Sequence, residues 1–423
     1  MAASATTPLV GGGSTFPTYA YTGQRQPAGS PVVGSPLIPS AGSLFGAYTN
    51  IFANPVTYCP TGSVAGKRIF AGNNPTVEQG SGLCFGSGPA GFASSAGPVI
   101  TQAHFAASEV PLSYSDFENY KVGHGGALPE QFPAIAGAIA IVFNKSGVAS
   151  LTLSEGQICA IFSGQITTWD ELGAGTGPIH IVYRSDGSGT TYSLLNHLSA
   201  VCPLPTNVLS GKTAATQFKT VPLLAGTPAG GAWIYSMGYN SPVGVVGSGA
   251  VTDYVKTNDG TIGYVEVAYA VANLVKMASV RNTNSGLAVN PSVGFGTTPM
   301  PVFLSFSKVL ADSPDFNGRP VIQDPSVSTQ CVAMVDPAIY ANPASGYPIL
   351  GVSYLLGNQT ANGTDATAVR NLLGSPYKNS PVRSAVTKVG RITTGYAWLS
   401  EASVLDSVNA TTGIQARINS CIN

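Results

Sequence analysis

Charge is scarce in this chain. Lys plus Arg and Asp plus Glu number 19 each in 423 residues, 9% together, against roughly 25% in an ordinary soluble protein. The balance leaves no basic field for nucleic acid or for an anionic membrane surface. Histidine is scarcer still. The four, at 104, 124, 180 and 197, are scattered, and without a CxxC pair beside them they give no metal-ligand spacing. No apolar run approaches the roughly 20 residues that span a bilayer. These absences turn the reading away from nucleic-acid binding, membrane insertion and resident metals or cofactors. What is present is a 44% hydrophobic fraction, enough for one or two ample cores and a two-domain organisation. The polar surface must come from Ser, Thr, Asn, Gln and Gly, which suits an exported protein.

Cysteine is sparse but even in number: Cys59, Cys84, Cys159, Cys202, Cys331 and Cys421. Many connectivities are open to six cysteines, and the simplest is sequential: Cys59–Cys84, Cys159–Cys202, Cys331–Cys421. That predicts an oxidising compartment, periplasmic or extracellular. Met1-Ala2-Ala3-Ser4-Ala5 lacks the charged start and apolar core of a secretion signal, so a mature exported chain is expected. With no lipid-attachment Cys at this end, a free protein is expected rather than a tethered one.

The most informative stretch is Tyr183-Arg184-Ser185-Asp186-Gly187-Ser188-Gly189-Thr190-Thr191. Before it, Ile179 to Tyr183 alternates like a strand. After it, Thr190 to Cys202 reads as a helix with Leu194, Leu195 and Leu198 on one face. The turn therefore sits at a helix start, where free N–H groups and the helix dipole favour an anion. Gly187 and Gly189 let the backbone approach, Ser188 and Thr190 add hydroxyls, and Arg184 supplies a planar cationic fork. Asp186 is placed either to orient that fork or to stabilise the turn.

Two further segments share this chemistry: Gly11-Gly12-Gly13-Ser14-Thr15-Phe16-Pro17 and Tyr58-Cys59-Pro60-Thr61-Gly62-Ser63-Val64-Ala65-Gly66-Lys67. The Gly-Lys-Ser/Thr ending of nucleotide-hydrolase phosphate loops is missing from all three. Ile161 to Asp170 and Gly260-Thr261-Ile262-Gly263-Tyr264-Val265-Glu266 complete a set of matches in chain order. Together they resemble the phosphate-binding protein of the bacterial phosphate-specific ABC transporter (PstS-like) and the related DING proteins.

That resemblance implies an α/β fold of the periplasmic binding protein type II class. Two lobes, each a mixed sheet flanked by helices, would hold inorganic phosphate in the cleft between them. The first lobe is expected from 1–134 plus 345–423 and the second from 135–344, with hinges near 132–138 and 342–350. Ile135 to Phe143, a near-continuous apolar run, reads as the buried crossing strand, and Tyr347 to Val352 as the return. Carried over by position, Thr15, Phe16, Ser63, Arg184, Ser188, Gly189 and Thr190 would bind the anion, with Asp186 behind Arg184. The family's acceptor Asp has its best match in Ala107 to Ser113, where Glu109 stands instead; Asp116 or a water is the alternative acceptor. An acceptor carboxylate welcomes a phosphate that keeps a proton and repels sulfate.

The implied function is high-affinity phosphate binding for uptake or scavenging by an exported monomer, with a transporter permease as a partner. Some relatives have been described as alkaline phosphatases, so phosphate-ester hydrolysis is the alternative reading; the sequence shows neither a metal-holding Asp/His cluster nor a base for a Ser or Thr nucleophile. An extracellular interaction protein using the Pro/Gly-rich stretches Gln24–Phe45 and Gly72–Ala103 is the third.

Overall fold

The computed structural model describes residues 8–25, 36–72, 92, 103–202, 218–223, 241–294, 304–390, 394–399 and 413–423. A strand–turn–helix unit recurs along them. Leu9–Gly13 (β1) runs into the short helix Thr18–Thr22 (α1), and Val56–Cys59 (β2) into Ser63–Ala71 (α2). Phe105–Ser108 (β3) precedes Tyr114–Gly123 (α3), whose start is closed by a capping box between Ser113 and Asp116. Next comes Pro129–Asn144 (β4). The unit returns as His180–Arg184 (β5) before Gly189–Val201 (α4), and as Val243–Val245 (β6) before Gly247–Thr257 (α5). Thr261–Glu266 (β7), Lys276–Met277 (β8), Leu350–Asn358 (β9) and Tyr396–Trp398 (β10) complete the sheet.

Among the described residues ten strands join in the order β2-β1-β3-β9-β4-β7-β5-β6, with β8 and β10 also paired to β4. Two groups are parallel: β2-β1-β3 at one end and β7-β5-β6 at the other. Antiparallel β9 and β4 lie between them. β4 serves both groups, pairing with β9 over Pro129–Ala138 and with β7 over Ile139–Asn144.

The apolar run from Ile135 is buried within β4, as its composition predicts. The strand begins earlier than the run, with buried Glu130 and Gln131 inside it, and Gln131 is satisfied internally. Gln131 accepts the Leu112 N–H at 2.7 Å and donates to the Ala333 carbonyl at 3.0 Å. A hydropathy pattern cannot register such a residue as core.

Disulfides join Cys159 to Cys202 and Cys331 to Cys421, each with a Cα–Cα separation of 5.7 Å. The first ties helix Glu155–Phe162 to the end of α4. Cys59 is also disulfide-bonded, and Cys84 lies outside the described residues. So do residues 26–35 of the Gln24–Phe45 stretch, which ends in helix Leu44–Phe52, and most of Gly72–Ala103. No helix among the described residues is long and apolar enough to cross a membrane.

Candidate functional site

Strands of both parallel groups end toward one point. In such sheets ligands sit outside the carboxyl ends of the strands, at the place where the topology switches. β1 ends at Gly13 and is followed by Ser14-Thr15-Phe16; β3 delivers Glu109, β5 ends at Arg184 and β7 at Glu266. The starts of α2, α4 and α5 add Ser63, Gly189-Thr190 and Ser248. All these side chains are buried.

Glu109 is the centre of one half. Its Oε2 accepts the Ser14 hydroxyl and, at 3.0 Å, the Ser63 hydroxyl. The Gly189 N–H donates to Ser63 Oγ at 2.9 Å and the Phe16 N–H to Ser14 Oγ at 3.0 Å. Two predicted backbone donors therefore converge on hydroxyls that converge on Glu109. Its second oxygen, Oε1, is buried with no hydrogen-bond partner. Burial drives the carboxyl pKa from 4.5 up to about 7, against the pull of the Ser14, Ser63 and Ser353 hydroxyls and with help from the charge of Glu266.

Arg184 is the centre of the other half. Nε donates to Asp186 Oδ1 at 2.6 Å and Nη2 to Asp186 Oδ2, while Nη1 reaches Thr15 Oγ1 and Ser248 Oγ, both at 3.0 Å. Burial works against the guanidinium charge, and the Asp186 carboxylate overrides it, holding Arg184 above its usual range. Asp186 also accepts the Gly247 N–H at 3.0 Å, which ties the fork to the start of α5. Below the fork, the Tyr264 hydroxyl accepts the Arg184 N–H at 3.2 Å and bonds Thr191 Oγ1 at 2.7 Å, pinning the strand end.

Two glycines are required here. Gly62 has φ +96°, a left-handed backbone, and a Cβ on it would lie 2.9 Å from Asp186 Oδ2. A Cβ on Gly189 would lie 2.2 Å from Glu109 Oε2 and 2.6 Å from Ser63 Oγ. Ser188 spends its hydroxyl oxygen on the Thr191 N–H at 3.1 Å as the cap of α4.

The structure thus gathers Thr15, Phe16, Ser63, Glu109, Arg184, Gly189 and Thr190, with Ser188 at the helix edge. Asp116 is not at this point: it pairs with buried Lys67 and accepts the Ser113 N–H at 2.9 Å. Sequence reasoning missed three members. Ser14 stands inside the first glycine-rich loop with no role assigned by the motif, and Glu266 only ends the last matching strand. Ser248 had a legible signal, since Val245-Val246-Gly247-Ser248-Gly249 repeats the strand, glycine, serine, glycine, helix order of Arg184 to Gly189.

A model described as the PBP superfamily domain matches residues 28–362. The chain belongs to that superfamily. Its periplasmic binding protein-like fold is shared with a solved high-affinity periplasmic phosphate-binding protein (PfluDING) bound with phosphate, 26% identical, with a TM-score of 0.59 over 98% of this chain and 99% of that one. Among curated superfamily relatives, Alkaline phosphatase L of Pseudomonas aeruginosa is 28% identical over 84% of this chain and 82% of its own length. A phosphate-binding protein PstS of Xylella fastidiosa is 32% identical over 44% and 46%. The resemblance to PstS-like and DING proteins expected from the motifs is therefore found.

Proposed function

We propose that this protein binds inorganic phosphate reversibly, with high affinity, and discriminates against sulfate. The observation that carries the reading is Glu109, whose Oε2 gathers the Ser14 and Ser63 hydroxyls while its buried Oε1 makes no hydrogen bond. Buried polar atoms are nearly always paired, and an oxyanion that retains a proton is the ligand this one fits. Thr15, Phe16, Ser63, Arg184, Ser188, Gly189 and Thr190 supply the donors. Charge-assisted hydrogen bonds contribute about 1.5–3 kcal/mol each, so a few suffice for roughly micromolar binding, about 8 kcal/mol.

Thr15, Ser63 and Glu109 belong to one lobe, 1–134 plus 345–423, and Arg184, Gly189 and Thr190 to the other, 135–344, hinged where β4 changes partner and where the chain returns near 342–350. The protein works as an exported monomer, taking phosphate to a membrane permease or holding it outside the cell. Binding without turnover is favoured over hydrolysis. A hydrolytic reading would use Ser63 as nucleophile with Glu109 as its base, but the Gly189 N–H donates to the same hydroxyl oxygen at 2.9 Å and draws on the lone-pair density that an attack needs.

Equilibrium dialysis of labelled phosphate against ligand-stripped protein, with and without excess sulfate, tests this. Stoichiometric binding that sulfate leaves in place is expected, with Arg184→Ala weakening it by roughly two orders of magnitude. Displacement by sulfate would overturn the acceptor role of Glu109, and a phosphate-ester turnover lost in Ser63→Ala would replace binding with hydrolysis.

A further inference from the structure

Glu266 has no place in the ligand set just described, yet it is fully buried and reaches two hydroxyls of the site. Its Oε2 accepts from Ser248 Oγ at 3.0 Å and Thr190 Oγ1 at 3.4 Å, and its Oε1 is buried without a partner. Ser248 in turn lies 2.9 Å from Thr15 Oγ1. A hydroxyl has one proton, and an ionised carboxylate only accepts. With Glu266 ionised, Ser248 must donate to it, so the proton in the Ser248–Thr15 contact comes from Thr15. Thr190 also points its proton at Glu266. Arg184 Nη1 already donates to both Thr15 and Ser248, so it cannot take the place of those protons. In that state neither threonine has a proton left for an anion.

Protonation reverses the chain. A neutral Glu266 donates to Ser248, Ser248 turns its proton to Thr15, and Thr15 and Thr190 turn theirs toward the cleft. We propose that Glu266 is a positioning residue for the anion, taking up one proton from solvent as the anion binds and thereby switching the Ser248–Thr15 chain from accepting to donating toward the ligand. Only O–H bonds exchange partners, and the charge brought in by the anion is partly cancelled on site. This rests on the phosphate reading of the same site.

The surroundings are consistent with that exchange. Burial raises the Glu266 pKa, while its own backbone N–H, the Ser248 hydroxyl, the Arg184 charge and the Thr190 hydroxyl oppose it. Glu109, just past β3, and Tyr396 on β10 face it electrostatically, and a further negative charge from the ligand moves Glu266 toward its neutral form.

The test is calorimetric titration of the full chain with inorganic phosphate in buffers of different ionisation heat, in mildly alkaline solution where the ligand is a dianion. Wild-type protein is expected to take up about one proton per phosphate bound. Glu266→Gln is expected to lose that uptake and the associated pH dependence of affinity. Glu109→Gln, although weaker in binding, is expected to keep it. Equal uptake in wild type and Glu266→Gln, or none in wild type that binds phosphate, overturns the inference alone; a wild type that binds no phosphate overturns the reading beneath it. Should Glu266→Gln fail to fold, infrared difference spectra of wild type and Glu109→Gln decide: a protonated-carboxyl band that appears with phosphate in both supports the inference, and its absence overturns it.

Discussion

Glu109 carries a consequence for stability as well as for the ligand. Its folded pKa stands at about 7 against an ordinary 4.5, so between those values the folded chain holds a proton that the unfolded chain has released. Stability therefore falls as pH rises through that window and levels off above it. Glu109→Gln removes the effect. The variant should gain on wild type across the window by up to roughly 3 kcal/mol, at about 1.4 kcal/mol per pKa unit, in urea unfolding curves recorded without phosphate or sulfate. A difference that does not change with pH would show an ordinary carboxyl. The residue was legible as a candidate because its neighbours match the family segment; its partnerless oxygen was not, because burial is decided by residues far away in the chain.

The recurring element is a strand that ends in a glycine-serine turn and feeds a helix. Where the turn was contiguous, as in Arg184 to Thr190, sequence named the residues, because a helix start presents its N–H groups whatever the rest of the molecule does. Thr15–Ser248 is a contact across 233 positions, and no local pattern announces it. Gly189 tests the element. Gly189→Ala puts a methyl against Glu109 and Ser63, and overpacking of this kind costs about 1–3 kcal/mol. The protein should still fold, with a modestly lower midpoint in thermal unfolding, while phosphate binding in dialysis falls below detection because the α4 start is pushed off the site. Unchanged affinity would place the anion elsewhere.

Over the whole molecule, an anion that joins the β2-β1-β3 group to the β7-β5-β6 group favours whichever arrangement brings them together. Small-angle scattering should show a smaller radius of gyration with phosphate than without, and Arg184→Ala should lose the contraction. Identical curves would remove the hinge while leaving binding intact. The low charge, the even cysteines, the buried run at Ile135 and the three glycine-serine turns were all written in the chain, because each depends on composition or on residues within a few positions. The double pairing of β4, the buried polar residues that extend it, the placing of Asp116 on Lys67 instead of at the site, and the Glu266–Ser248–Thr15 chain were decided only in three dimensions. A carboxyl's partners and its solvation come from strands brought together by the sheet, and sequence distance carries no record of that meeting.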